Sequence, residues 1–281
     1  MPVTRSRMRA HAVEWHVVPA AHIDAHHRAE FLGLQRRCNT EICRHSALTQ
    51  NVWLDQIESG VPSLDHLLAS LQQLAIFLRQ LVLARERHAL LLTEGRSLLE
   101  SGSGTAVVIC FDENGMPWCP PLPGMGLGDP YVLSERLHQW WSSWQRMSAQ
   151  TSEEWSFQQG WPVTKMLCDA IENGYNASDI NTALGVLLAL ENGMSTDFWQ
   201  RLGRGLSQRC AAFGVAMPDA GFFPVAETHA RLQARHGLYL TEAASVHDQL
   251  EVEPFFRASL GALDRLNDFW QAMADSLRVA H

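Results

Sequence analysis

The chain has 281 residues, of which 46% are hydrophobic and 19% are charged, so it is long enough to bury a substantial core. Its net charge of -8 and pI near 5.9 argue against a polyanionic partner, because neutralising phosphates requires clustered Lys and Arg. We therefore expect a soluble globular protein that does not bind nucleic acid.

Targeting and cofactor motifs are missing from the sequence. We find no apolar run of the roughly 18 residues that span a bilayer, and no apolar secretory signal near the start. The sequence thus predicts a cytoplasmic protein with no membrane segment. No dinucleotide-binding GxGxxG, P-loop or GxSxG elbow supports a nucleotide cofactor or serine hydrolysis. The cysteines form no CxxC pair and are expected to be reduced, partly buried thiols: Cys38, Cys43, Cys110, Cys119, Cys168 and Cys210.

The first half of the chain predicts two helices and an irregular segment. A short helix at about 46–59 ends at Gly60, and a long amphipathic helix follows at 64–92, where apolar residues recur at three- and four-residue steps. We expect these two helices to form a hairpin. The segment 102–130 is rich in proline and glycine, which rules out a continuous helix, and 105–110 has the pattern of a short strand.

Six further helices are predicted, at about 131–149, 162–173, 178–192, 196–213, 222–246 and 253–279. Asp179, Thr196 and Asp219, or residues close to them, are the expected N-caps. Since no convincing series of alternating strands appears, the fold class is an all-α bundle. Residues 1–44, which are rich in Arg and His, are expected to form an N-terminal extension. Residues 45–281 are expected to form one helical domain with the irregular excursion at 102–130.

His229, Gln233 and His236 are the most informative residues, because i, i+4 and i+7 lie on one helical face. A neutral imidazole is the commonest protein ligand for transition metals, so two on one stripe can enter a single metal site. The alternative is that both are surface or hydrogen-bonded core histidines.

Carboxylates that could complete such a site occur upstream. Glu191 ends an otherwise apolar helix, where burial without a partner would be costly, although it could also be a partly exposed residue at the helix end. Glu135 and His138 form a Glu-x-x-His pair on one face, as in di-iron carboxylate bundles, or else belong to a solvated surface. Trp141 and Trp144 share a face near His138, where we expect core packing; the alternative is a pocket wall beside a metal.

The order Glu135, His138, Glu191, His229 and His236 resembles that of the haem-oxygenase-like di-iron oxidases and oxygenases, the TenA-like iron-containing redox enzymes. The resemblance runs over about 46–246. Its sharpest parts are Gly185-Val186-Leu187-Leu188-Ala189-Leu190-Glu191 with Phe198 and Leu202, and Phe222-Phe223 before His229-x-x-x-Gln233-x-x-His236. It implies a haem-oxygenase/TenA-like helical bundle with an irregular insertion.

The same resemblance implies a metal site and an activity. Glu135 and His138, with Glu191 bridging, would hold one Fe(II), and His229 and His236 the second. The protein would then be a non-haem, di-iron or alternatively mono-iron, O2-dependent oxidase or oxygenase acting on a small metabolite such as an amino acid, an amine or a fatty-acid-like substrate. A homodimer is compatible with this interpretation.

Gln233 departs from the family, whose last metal-binding helix reads His-x-x-x-Asp-x-x-His. An amide is a weaker iron ligand than a carboxylate, so the second iron would be labile, absent or completed by Glu227 or Glu242. Two alternatives of the same fold therefore stay open: a metal-free enzyme like TenA or PqqC, and a degenerate, non-catalytic binding or partner protein. A haem protein is a further alternative, because Thr40 and His45 lie near the place of the proximal histidine of haem oxygenases.

Overall fold

A computed structural model describes residues 40–60, 63–100, 110–111, 117–118, 130–147, 160–175, 179–231 and 251–278. The described chain is mostly helical, which confirms the all-α class. After helical residues 40–44, the helices are α1 (Ser46–Thr49), α2 (Val52–Ser59), α3 (Leu64–Glu100), α4 (Pro130–Gln145), α5 (Pro162–Tyr175), α6 (Ile180–Asn192), α7 (Thr196–Ala212), α8 (222–231, where the description stops) and α9 (Val252–Ser276).

The predicted irregular excursion at 102–130 is described only in part. Two short strands, β1 (Cys110–Phe111) and β2 (Pro117–Trp118), pair antiparallel, with Cys110 opposite Trp118. The predicted strand at 105–110 therefore meets the structure only at its last residue, since 105–109 lie outside the described residues. α4 begins at Pro130, where the excursion was expected to end.

The predicted helix at 46–59 is two helices. The Asn51 side chain accepts a hydrogen bond from the Leu54 backbone N–H at 2.9 Å, which caps α2 and separates it from α1. Gly60 ends α2 as predicted, with a φ of 126° that glycine adopts without strain. The predicted hairpin of α2 and α3 is wrong, because α2 packs mainly against α7 and α9.

The core is built around α3 and α9. α3 packs against α4 and α5, and α9 packs most extensively against α6. Aromatic rings join these layers: Phe77 of α3 meets Phe269 at 5.3 Å between ring centroids, and Trp53 of α2 stacks on Trp270 at 5.8 Å. Ile42, which lies in the predicted N-terminal extension, also belongs to this core. The domain boundary between residues 44 and 45 stays a prediction.

One stretch of α3 revises an expectation about membranes. Leu64–Ala84 is long and apolar enough to cross a bilayer by length and composition, contrary to the expectation that no such segment exists. However, 72% of its most apolar window is buried against other helices. Packing of this kind is typical of a core helix in a globular protein.

Close helix crossings at α6 fix its position. Gly174 of α5 leaves space for Val186, whose Cβ would lie only 2.8 Å from a Cβ added at Gly174. On the other side, the Ser259 hydroxyl of α9 donates to the Gly185 carbonyl at 2.8 Å. α6, whose last turn contains Glu191, is therefore held tightly between α5 and α9.

Candidate metal centre

Glu135 and His138 lie on the outer face of α4. The inner face consists of Leu137, Trp140, Trp141 and Trp144, all buried, which confirms the expected core packing of the tryptophans. Both Glu135 and His138 are exposed. Glu135 accepts a hydrogen bond from the Gln139 amide at 3.2 Å along the same outer face. The Glu-x-x-His pair therefore points away from the bundle interior.

His229 lies on the inner face of α8. Its side chain shares that face with Phe222, Phe223, Ala226 and Ala230, and only 6% of the residue is exposed. A buried imidazole among apolar groups is shielded from water, as a ligand of an interior metal would be. Glu227 was a predicted substitute for the carboxylate that Gln233 lacks. It precedes His229 by two residues and therefore lies on the opposite side of the helix. Its carboxylate accepts a hydrogen bond from the Gln200 amide of α7 at 3.1 Å.

The remaining predicted ligands are not described to the level of their side chains. Glu191 lies in the last turn of α6, with only its backbone described. Gln233, His236 and Glu242 lie outside the described residues. Within the described ranges, no group of three or more His, Cys, Asp or Glu side chains is placed to hold a metal ion.

His45 does not present a free nitrogen to a haem iron. Its Nδ1 accepts the Ala47 backbone N–H at 3.2 Å, so the ring proton is on Nε2, which lies 3.1 Å from the Asp264 carboxylate. The histidine thus caps α1 and binds α9 with its two nitrogens. This arrangement disfavours the haem alternative.

A buried ion-pair cluster was not predicted from the sequence. Arg201 of α7 is only 3% exposed, and its Nη2 lies 2.8 Å from Asp55 and 2.6 Å from Glu58, both of α2. Burial raises the pKa of the Glu58 carboxyl, but hydrogen bonds and charge from Arg201 and Arg204 outweigh it, so the pKa is lowered. Gly205, four residues after Arg201, lets α7 approach Ile57 of α2 closely. Asp55 and Glu58 are spaced i, i+3 on α2. This pair of carboxylates was the sequence pattern that could have indicated a cationic partner.

A second unpredicted pair joins α4 to the turn before α8. Arg136 Nη2 lies 3.4 Å from the Asp219 carboxylate. Asp219 was expected to be, or to lie near, an N-cap, but its side chain faces Arg136 and its backbone carbonyl accepts the Phe222 N–H at 3.1 Å. Its φ of 40° is unusual for a residue other than glycine.

Comparison with known proteins identifies no similar protein. No protein-family model matches the chain, and no curated protein or solved structure matches it.

Proposed function

We propose that this chain is a haem-oxygenase-like oxidase or oxygenase that binds a single non-haem iron and uses O2 on a small metabolite. The observation that carries the proposal is His229, a buried imidazole on the inner face of α8. If the helical period continues beyond 231, Gln233 and His236 follow on that face. Glu191 would contribute the carboxylate from the end of α6.

One iron fits the chain better than two. The exposed positions of Glu135 and His138 do not fit a ligand pair of a buried di-iron centre. Without them, Glu191, His229 and His236 form a set of two imidazoles and one carboxylate, the ligand set typical of mononuclear Fe(II) oxygenases. Gln233 would add at most a neutral carbonyl oxygen, so its departure from the family pattern matters less for a single iron.

Bound Fe(II) would supply open coordination positions at which O2 is activated. The protein's own contribution is to hold the imidazole and keep water away. Phe222, Phe223, Ala226 and Ala230 are buried on the same helix, so the buried face of α8 that carries the His229 imidazole is otherwise apolar. This apolar face favours an apolar or partly apolar substrate such as an amine, an amino acid or a fatty-acid-like molecule.

Iron stoichiometry after anaerobic Fe(II) loading tests the proposal. We expect about one iron per chain in the parent protein, and its loss in His229→Ala and His236→Ala, because each removes one imidazole ligand. His229→Asn tests the same loss with less change in volume. His138→Ala and Glu135→Ala are the matched controls on the exposed face and should keep the iron. O2 consumption is then measured with amino acids, amines and fatty acids.

The alternative outcomes separate the competing functions. Two irons per chain, with loss in His138→Ala, would restore the di-iron interpretation. A parent protein that binds no iron would overturn the proposal in favour of a metal-free enzyme or a non-catalytic binding protein of the same fold. The outward direction of Glu135 and His138 removes one of the two predicted ligand pairs from the bundle interior. The same observation therefore favours a metal-free or non-catalytic protein as the second candidate function.

Gln233 offers an independent test. Gln233→Glu supplies a charged oxygen ligand at almost the same reach, so iron should bind more tightly than in the parent protein. Gln233→Asp tests the shorter side chain. Unchanged affinity in both variants would place position 233 outside the metal site.

A further inference from the structure

The turn before α8 is held in an unusual conformation by contacts with α4. Asp219 has a φ of 40°, and such backbone outliers persist only where surrounding contacts maintain them. Here the contact is with the guanidinium of Arg136. Gly221 lies so close that a Cβ added there would be 3.1 Å from Arg136 Nη2. The Arg136 guanidinium therefore lies beside both Asp219 and Gly221.

The Arg136 guanidinium divides its hydrogen bonds between two partners, because its Nη1 donates to the Gln139 side-chain oxygen at 2.9 Å and its Nη2 faces Asp219. Nη2 lies 3.4 Å from Oδ1, while the buried Arg136 Nε and Asp219 Oδ2 have no hydrogen-bond partner among the described residues. Arg201 shows the complete arrangement in the same protein. Its Nε and Nη2 bind the two oxygens of Glu58 at 3.1 and 2.6 Å.

Ring contacts also join α4 to the start of α8. Trp140, one turn after Arg136 on α4, stacks on Phe222 at 4.9 Å between ring centroids and meets Phe223 edge-on at 6.5 Å. α4 thus contacts the first two residues of α8, Phe222 and Phe223, and also Asp219 in the turn before it. His229 lies about two turns farther along the same helix.

We propose that Arg136 and Asp219 are positioning residues for His229, because their contact, together with the stacking of Trp140 on Phe222, fixes the first turn of α8 against α4. The inference rests on the proposed function insofar as His229 is a metal ligand. A shift of α8 moves the imidazole with the helix, so the pair sets where the ligand stands in the bundle.

Two substitutions test the pair without forcing a new backbone. Asp219→Asn tolerates the positive φ and removes the charge, while Arg136→Lys keeps the charge and lacks the planar guanidinium that reaches Asp219 and Gln139 together. Asp219→Gly removes the side chain and the backbone strain if a third variant is needed. Arg257→Lys is the control, since Arg257 and Glu253 form an exposed pair at 2.7 Å on α9.

The readouts are the ring NMR signals of His229 in the metal-free protein and the Fe(II) dissociation constant. We expect the His229 signals to shift in both test variants and not in the control, with weaker iron binding. Unshifted His229 signals in folded Asp219→Asn and Arg136→Lys would overturn the inference. If the parent protein binds no iron but the His229 signals shift, the proposed function fails and the positioning role stands.

Discussion

Gly185 of α6 lies directly against the backbone carbonyl of Phe255 in α9, where an added Cβ would collide with the oxygen. The Ser259 hydroxyl bridges the same crossing, because it donates to Gly185 and lies 3.1 Å from the Phe255 carbonyl. Backbone contact at this point requires a residue without a side chain.

Gly185→Ala should therefore lower the free energy of unfolding by about 1–3 kcal/mol, because the two helices must separate. Gly261→Ala is the matched control, since a Cβ there meets nothing within 4 Å. That variant should raise the free energy of unfolding by about 0.5–1 kcal/mol through helix propensity. Urea unfolding measures both. Equal stabilisation by the two alanines would contradict the crossing as described.

Arg201→Met should lower the free energy of unfolding by about 3 kcal/mol, because it removes the buried cation from Asp55 and leaves Glu58 with only the exposed Arg204 at 3.6 Å. Arg257→Met, at an exposed pair, should change it by less than about 1 kcal/mol. Thermal and urea unfolding of the two variants provide the comparison. A similar small effect at both positions would show that the α2–α7 cluster contributes no more than a surface pair.

The same cluster predicts a dependence on pH. Since the pKa of Glu58 is lowered below its ordinary value of 4.5 in the folded protein, its contribution to stability is present above that pH. The contribution is lost as the pH falls through the lowered folded pKa. Glu58→Gln should therefore show a flatter decline in unfolding free energy below about pH 4.5. A decline as steep as in the parent protein would assign the acid sensitivity to other carboxylates.

Cys168 should resist alkylation. Burial, with the nearby charges of Asp169 and Glu172, raises the pKa of its thiol to about 12 from an ordinary value of 9.0. At pH 9 the folded protein should keep this thiol protonated, and iodoacetamide should modify it only after unfolding in urea. The unfolded chain ionises at lower pH, so stability should fall as the pH rises from about 9. Rapid labelling of Cys168 in the folded protein would refute the burial argument.

Removing the Asp179 cap should weaken the start of α6. Its carboxylate accepts the backbone N–H groups of Asn181 at 3.3 Å and Thr182 at 3.0 Å. Asp179→Ala should lower the free energy of unfolding by about 1 kcal/mol, whereas Asp179→Asn should keep most of it. The difference between the two variants in urea unfolding isolates the cap from the charge.

Helix positions were the part of the fold that the sequence could predict. Apolar spacing and capping residues act locally, so α5 and α7 begin at their predicted residues and Asp179 caps α6 as expected. The partner of α2 was not predictable in this way, because it depends on Arg201, far away along the chain. The break before α2 was missed because Asn51 is one polar residue in an otherwise helical pattern.

At the candidate site, residue spacing alone could not predict which helical face is buried. The i, i+3 relation places Glu135 and His138 on one face but does not say whether that face is inside. The information was present in Leu137, Trp140 and Trp144, whose buried stripe assigns the other face to solvent. For His229 the neighbouring Phe222, Ala226 and Ala230 give the opposite answer, and its burial follows from the same rule.

The apolar helix at Leu64–Ala84 has a consequence for synthesis of the chain. Its cover comes from α4, α5 and α9, which follow it in the sequence, and Phe269 and Trp270 close over Phe77 from near the end of the described chain. Contacts between such distant segments form slowly. Until α9 has been made, this apolar segment lacks part of its cover, and the emerging chain exposes apolar surface of the kind that chaperones bind.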